Sequence, residues 1–281
     1  MGNTISFLPL ILSVLSSKRI EGADGKQIIS RNLVKYLYVA NWKMNLSFNQ
    51  SINFCTNNKN ALQQLTQAAD IIVCPSFDAL KSIADIFNNT SIKVGAQNCS
   101  EHAHGAYTGE VSVLSLAEIG VTHCIIGHSE RRLYYHETTA NIIQKIYLLY
   151  AANIVPIICI GESHHDFLDK KTSTVLAQQL EPILSAVVEQ QHHNKHIIVA
   201  YEPVWSIGTG IIPEQKPLET IFAWLTQFIH QRLPKHTIQL LYGGSVDQDN
   251  IIQLKKIPNI NGFLIGSAST NFEQFKKIIN S

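Results

Sequence analysis

The sequence predicts an α/β protein, a single-domain (β/α)8 barrel with an N-terminal extension, and three observations carry that prediction. Eight short apolar runs, at 36–41, 71–74, 92–97, 123–127, 155–160, 197–201, 238–242 and 262–266, alternate with longer amphipathic segments. The runs are hydrophobic almost throughout, as expected of parallel strands covered on both faces; a half-exposed strand would alternate. Eight such units fill residues 36–281 at roughly 31 residues per unit, the length of one strand–helix–strand step. An open doubly wound sheet uses the same alternation, but eight units over this length favour closure into a barrel.

The segments between the runs read as helices. In 175–191 the apolar residues Leu176, Leu180, Ile183 and Val187 recur at helical spacing, and in 218–232 Ile221, Leu225 and Ile229 do the same. Pro217 suits the first turn of the second of these, where a missing N–H costs nothing. The barrel domain is expected over 35–281, with 1–34 as the extension. Residues 5–15 form an apolar run broken by Pro9, too short to span a bilayer and without the positive leader of a signal peptide. The opening Met1-Gly2-Asn3-Thr4-Ile5-Ser6 also fits a myristoylation pattern. The plainer expectation is a poorly ordered or cleaved extension, or an upstream start codon, on a cytoplasmic protein.

Composition excludes several classes. A formal net charge of +1, with 15% charged residues and no basic stripe, gives no nucleic-acid footprint. Five cysteines, an odd number with no C-x-x-C pair, argue against a disulfide framework and for a reducing compartment. Twelve histidines, including His102 and His104, His164-His165 and His192-His193, come without a recognisable metal-ligand spacing and read as surface or loop residues.

Chemistry in such a barrel belongs at the C-terminal ends of the strands. Polar clusters fall there repeatedly: Asn41-Trp42-Lys43, Gln97-Asn98, Gly127-His128-Ser129-Glu130, Gly161-Glu162, Glu202-Pro203, Gly243-Gly244-Ser245 and Gly266-Ser267. Core packing does not require charge at one end of so many strands. The glycine turns after the last two strands let backbone N–H groups approach an anion closely, and together they make a phosphate cradle. Glu202 is followed by Pro203, Trp205 and a Gly208-Thr209-Gly210 tip, the composition of a lid with one stiff hinge. Under a lid that excludes water, a carboxylate becomes a stronger base. His128 stands where a helix begins, which favours a neutral ring that donates a hydrogen bond. Lys43 adds positive charge where an oxyanion develops. An acid, a neutral histidine, a lysine and a phosphate cradle on one face point to enolisation beside a carbonyl.

At these residues the chain resembles the triosephosphate isomerase family. The stretches Asn41-Trp42-Lys43-Met44-Asn45, Gly95-Ala96-Gln97-Asn98, Gly127-His128-Ser129-Glu130-Arg131-Arg132, Cys159-Ile160-Gly161-Glu162, Ala200-Tyr201-Glu202-Pro203-Val204-Trp205 and Tyr242-Gly243-Gly244-Ser245-Val246 look like that family's signatures, in the family's order. The resemblance implies a TIM barrel that interconverts glyceraldehyde 3-phosphate and dihydroxyacetone phosphate, with no metal or organic cofactor. It implies Glu202 as the base, His128 as the electrophile, and Lys43 and Asn41 as stabilisers of the enediolate. Backbone N–H groups of Gly208, Ser245, Gly266 and Ser267 are implied for the phosphate. Glu130 and Ser129 are implied as supporting residues, Ser129 holding the open state. The resemblance thus implies a base and a neutral histidine beneath a closing loop. A homodimer is also implied, with loop 99–111 reaching the partner's site and Thr108 meeting the partner's Asn41; on physical grounds alone such a loop also suits a flap in a monomer.

Three positions depart from the family pattern. Ser267 stands where a second glycine is usual and would strain the turn by roughly 1–3 kcal/mol if its φ were positive. The far lid hinge reads Ile211-Ile212-Pro213, and His136 replaces a glycine before Glu137. Two other classes share these features. One is another phosphate-binding barrel, such as an isomerase or aldolase of a sugar-phosphate pathway, and the other a surface or scaffold barrel with the N-terminal segment as its anchor. An aldolase needs a Schiff-base lysine inside a strand, and no predicted strand carries one in mid-run. A non-enzymatic or moonlighting scaffold would not need Glu202, His128 and Lys43 intact, although their presence leaves room for a second role.

Overall fold

The computed structural model describes residues 19–21, 27–29, 35–189, 196–208 and 213–281. The chain divides into two compact units, Met1–Lys35 and Tyr36–Ser281. In the first, strands β1 (Arg19–Glu21) and β2 (Gln27–Ile29) pair antiparallel, Arg19 opposite Ile29. The apolar 5–15 run and the myristoylation pattern lie outside the described residues.

The second unit is a closed barrel of eight parallel strands in the order β10-β3-β4-β5-β6-β7-β8-β9. Its first half runs β3 (Tyr36–Asn41), α1 (Phe48–Leu65), β4 (Ala69–Cys74), α2 (Phe77–Phe87), β5 (Lys93–Ala96), α3 (Val113–Glu118) and β6 (His123–Ile126). Next come α4 (Ser129–Tyr134), α5 (Thr139–Ala151), β7 (Val155–Ile160), α6 (His164–Leu168), α7 (Thr172–Glu189) and β8 (His196–Tyr201). The chain closes with α8 (Gln215–Arg232), β9 (Thr237–Tyr242), α9 (Ile251–Leu254), β10 (Gly262–Ile265) and α10 (Phe272–Asn280). Strand β10 pairs with β3 through Leu264 opposite Val39, the contact that turns an open sheet into a barrel.

The continuous hydrophobicity of the strands has two destinations. Leu37, Val39, Ile72, Ile125, Ile157, Ile198, Leu241 and Leu264 fill the barrel interior. Their strand neighbours Tyr38, Ala40, Ile71, Val73, Ile126, Ile158, Ile197 and Val199 face the helices instead. Side chains alternate between faces, so a strand buried on both sides reads as one apolar run.

The eight predicted strands all form, with ends displaced by one or two residues. Strand β4 begins at Ala69, and β8 and β9 begin one residue early at His196 and Thr237. Gly127, placed at a strand end by the sequence, lies beyond β6 with a φ of +67°, where the chain turns towards α4. Helix α7 starts at Thr172, tolerates Pro182, and is followed by residues outside the described set. Helix α8 starts at Gln215, which puts Pro217 in its first turn as expected. Among the described residues no helix is long and apolar enough to cross a membrane.

Candidate active site

The C-terminal ends of the strands open into a cavity of about 460 Å³. Asn41, Lys43, His128, Glu130, Glu202, Gly208, Ser245, Gly266 and Ser267 all line it. The pieces come from β3, the β6–α4 junction, the segment after β8 and the turns after β9 and β10. Barrel closure brings together residues separated by more than two hundred positions.

Glu202 follows β8 directly and is almost wholly buried, 1% exposed. Its backbone N–H donates to the Ile160 carbonyl at 2.7 Å, extending the β7–β8 ladder by one residue. Two glycines make room for it. A Cβ on Gly161 would stand 1.8 Å from the Glu202 carbonyl oxygen, and one on Gly243 would stand 2.9 Å from Glu202 Cγ. The carboxylate accepts the Ser129 backbone N–H at Oε2, 3.0 Å away, and lies 3.1 Å from His128 Nε2 at Oε1.

His128 caps the six-residue helix α4. Its Nδ1 accepts the Glu130 backbone N–H at 3.2 Å, so that nitrogen carries a lone pair. The single ring proton of a neutral imidazole then belongs on Nε2, the nitrogen that faces Glu202 and the cavity. The Glu130 carboxylate stands farther from Nδ1, at 3.6 Å, and pairs with Lys43 Nζ at 2.6 Å.

Lys43 occupies left-handed backbone space, with φ at +51°. Its carbonyl accepts from Ser76 Oγ at 3.1 Å and from Gln97 Nε2 at 2.8 Å, and its N–H donates to Asn41 Oδ1 at 3.3 Å. Three strand ends therefore fix a conformation that costs a non-glycine residue roughly 1–3 kcal/mol. Beside it, the buried Trp42 donates its indole N–H to the Ser269 carbonyl at 3.1 Å, tying the end of β3 to the turn after β10.

That turn answers the question raised by Ser267. Residues Ser267–Thr270 form a single 3-10 turn, and Ser267 is not among the residues with positive φ. A serine is unstrained there. His136 does take positive φ, at +54°, immediately before the buried Glu137. Gly208 also has positive φ, +68°; the rest of the lid tip, 209–210, and Ile211 and Ile212 of the far hinge lie outside the described residues.

Two expected residues stand off the cavity wall. Ser129 reaches the site only through its N–H to Glu202, and Thr108 lies exposed on the loop after β5. Supporting groups with no role assigned from the sequence also emerge. Glu137 accepts from Arg131 Nε at 3.0 Å, Lys145 Nζ at 2.8 Å and the Gly127 N–H at 3.3 Å, bracing the turn that presents His128. Glu162 accepts from the Tyr201 hydroxyl at 3.0 Å and from the Trp205 indole at 3.3 Å; burial pushes its carboxyl above the usual range. Glu162 stands in a strand-end cluster and a family-like stretch of the sequence, whereas Glu137 carries no signal beyond following His136. Among the described residues no three His, Cys, Asp or Glu side chains cluster as a metal site would.

Fold and site together define a (β/α)8 barrel whose C-terminal face pairs a buried carboxylate with a histidine next to two glycine-bearing turns. Comparison with known proteins narrows the class. The sequence profile of the family described as triosephosphate isomerase matches residues 36–281. The triosephosphate isomerase of Alcanivorax borkumensis is 39% identical over 241 residues, covering 85% of this chain and 95% of that protein. The one from Buchnera aphidicola subsp. Baizongia pistaciae is 34% identical over 257 residues, covering 88% and 99%. The crystal structure of triosephosphate isomerase from Bartonella henselae superposes with a TM-score of 0.75 at 30% identity, covering 88% of this chain and 98% of that one. The chain belongs to the triosephosphate isomerase family.

Proposed function

We propose that the chain interconverts D-glyceraldehyde 3-phosphate and dihydroxyacetone phosphate by proton transfer through an enediolate, as a cytoplasmic enzyme of glycolysis and gluconeogenesis. The observation that carries the reading is the buried Glu202 carboxylate, 3.1 Å from His128 Nε2, in a cavity shared with Lys43 and the turns after β9 and β10.

In this reading Glu202 removes a proton from the carbon beside the substrate carbonyl and returns it to the neighbouring carbon. His128 donates from Nε2 to the oxygen that gains charge, and then mediates proton exchange between the two oxygens. Lys43 and Asn41 stabilise the enediolate, and backbone N–H groups of Gly208, Ser245, Gly266 and Ser267 hold the phosphate. Glu130 keeps Lys43 oriented. The Ser129 N–H holds the Glu202 carboxylate in its resting position, so substrate binding has to release it. The reaction moves protons only, so residues 35–281 suffice as the catalytic domain without a cofactor, and 1–34 stand outside it as an extension.

The family's homodimer is part of the proposal, with Thr108 of one protomer beside Asn41 of the other. Exposed apolar side chains next to Lys43 and Thr108 in the chain support it: Met44 is 94% exposed and Tyr107 45%. Sedimentation at micromolar concentration should give a dimer; a clean monomer would remove the intersubunit contact. The activity itself is tested by supplying glyceraldehyde 3-phosphate to the purified chain and coupling dihydroxyacetone phosphate to NADH oxidation. Turnover well above the uncatalysed rate is expected, and its absence from folded protein would refute the assignment.

A further inference from the structure

We infer that Ser206 occupies the phosphate site's Ser245 amide in the resting state, its side-chain hydroxyl acting as an internal stand-in for a phosphate oxygen that substrate displaces. The inference rests on the proposed function, in which the Ser245 N–H faces the phosphate. Ser206 is completely buried, in a short 3-10 turn four residues beyond Glu202. Its Oγ lies 3.5 Å from the Ser245 backbone nitrogen, which donates to it, and 3.3 Å from the Tyr242 hydroxyl. The Ser206 carbonyl accepts from Ser245 Oγ at 2.5 Å. The two segments are thus joined twice, once through backbone and once through the Ser206 hydroxyl.

The backbone link survives any substitution at 206, whereas the hydroxyl link does not. The turn is closely fitted around that hydroxyl: a Cβ on Gly244 would stand 2.9 Å from Ser206 Oγ and 2.3 Å from the Tyr242 hydroxyl. A phosphate oxygen arriving at the Ser245 N–H must take over the donor that Ser206 Oγ engages. The hydroxyl therefore holds the amide in orientation when substrate is absent and competes with phosphate when it is present. The bond at 3.5 Å is long, as suits a contact that yields to a charged acceptor, since bonds to charged groups are stronger than neutral ones.

The test compares the wild type, Ser206→Ala and Ser206→Thr in the coupled assay, with inorganic phosphate as competitive inhibitor. In Ser206→Ala the inhibition constant for phosphate and the KM for glyceraldehyde 3-phosphate should fall together by roughly two- to tenfold, the worth of one neutral hydrogen bond. Ser206→Thr keeps the hydroxyl and should hold both constants near the wild-type values. A role confined to packing would lower kcat or the melting temperature without moving the two constants in parallel. Unchanged or raised constants in folded Ser206→Ala would overturn the inference. Failure of phosphate to compete in the wild type would instead overturn the assignment of the phosphate site on which it rests.

Discussion

At the scale of single residues, the site depends on positions where backbone comes unusually close to a functional side chain. Glu202 keeps its place because Gly161 and Gly243 have no Cβ to intrude. Gly243→Ala would put a methyl group within 2.9 Å of Glu202 Cγ and force the carboxylate to shift. A misplacement near 1 Å can cost about 100-fold, so kcat should fall by roughly 10- to 100-fold, with folding cooperativity in urea retained. Wild-type kcat in that variant would show that the carboxylate position is not critical. That Glu202, His128 and Lys43 share one end of the barrel was legible in the sequence, because ionisable residues at strand ends are unexplained by packing. Their environment was not. The +51° φ of Lys43 has no local signal in a lysine, and the restraints from Ser76 and Gln97 exist only after three strands are side by side.

At the scale of elements, the junction between β6 and α5 shows how helices hold the chemistry. Glu137 and Lys145 are both buried, and together with Arg131, Asn98 and the Gly127 N–H they link the end of β6 to α5. Removing one member of a buried ion pair strands its partner, which typically costs about 3–5 kcal/mol. Glu137→Ala should therefore lower stability by about that amount in urea unfolding and loosen the turn that carries His128. A loss under 1 kcal/mol would mean that Lys145 finds another partner. The strands themselves were legible as elements, since every strand is covered on both faces. Their ends were blurred where polar residues open a strand, as His196 and Thr237 do. Helix α7 begins earlier than its apolar spacing suggests, because Thr172 and Ser173 carry no amphipathic signal.

At the scale of the whole molecule, the two ends of the barrel have different chemistry. The C-terminal end carries the cavity, while β6 and β8 begin with His123 and His196 at the opposite end. Burial lowers the pKa of His123 to about 4, aided by His196 and Lys93, and burial also lowers that of His196. Both groups are neutral in the folded state down to pH values at which the unfolded chain has taken up protons. Stability should be unaffected by them above the unfolded value near 6.5 and should fall as pH drops from there towards 4. For His123 the loss amounts to up to about 3 kcal/mol. Urea midpoints for the wild type and His123→Gln at pH 7 and pH 4.5 measure it: the variant should lose less stability on acidification, and equal losses would exclude His123 as a cause. Closure into a barrel was legible from eight repeated units, because repeat number and length are global properties that survive uncertain ends. The cavity's shape was not, since it depends on how far each turn rises above the barrel.

The most direct test of Glu202 as the base is the reaction of glyceraldehyde 3-phosphate in D2O, followed by proton NMR, with the wild type and Glu202→Asp side by side. The shorter side chain withdraws the carboxylate by about one bond length. Isomerisation and deuterium incorporation at C1 of dihydroxyacetone phosphate should then slow together, by roughly 100-fold or more in kcat, with KM changed far less. Isomerisation or deuterium incorporation by Glu202→Asp at the wild-type rate would contradict that role and assign the proton transfer to another group.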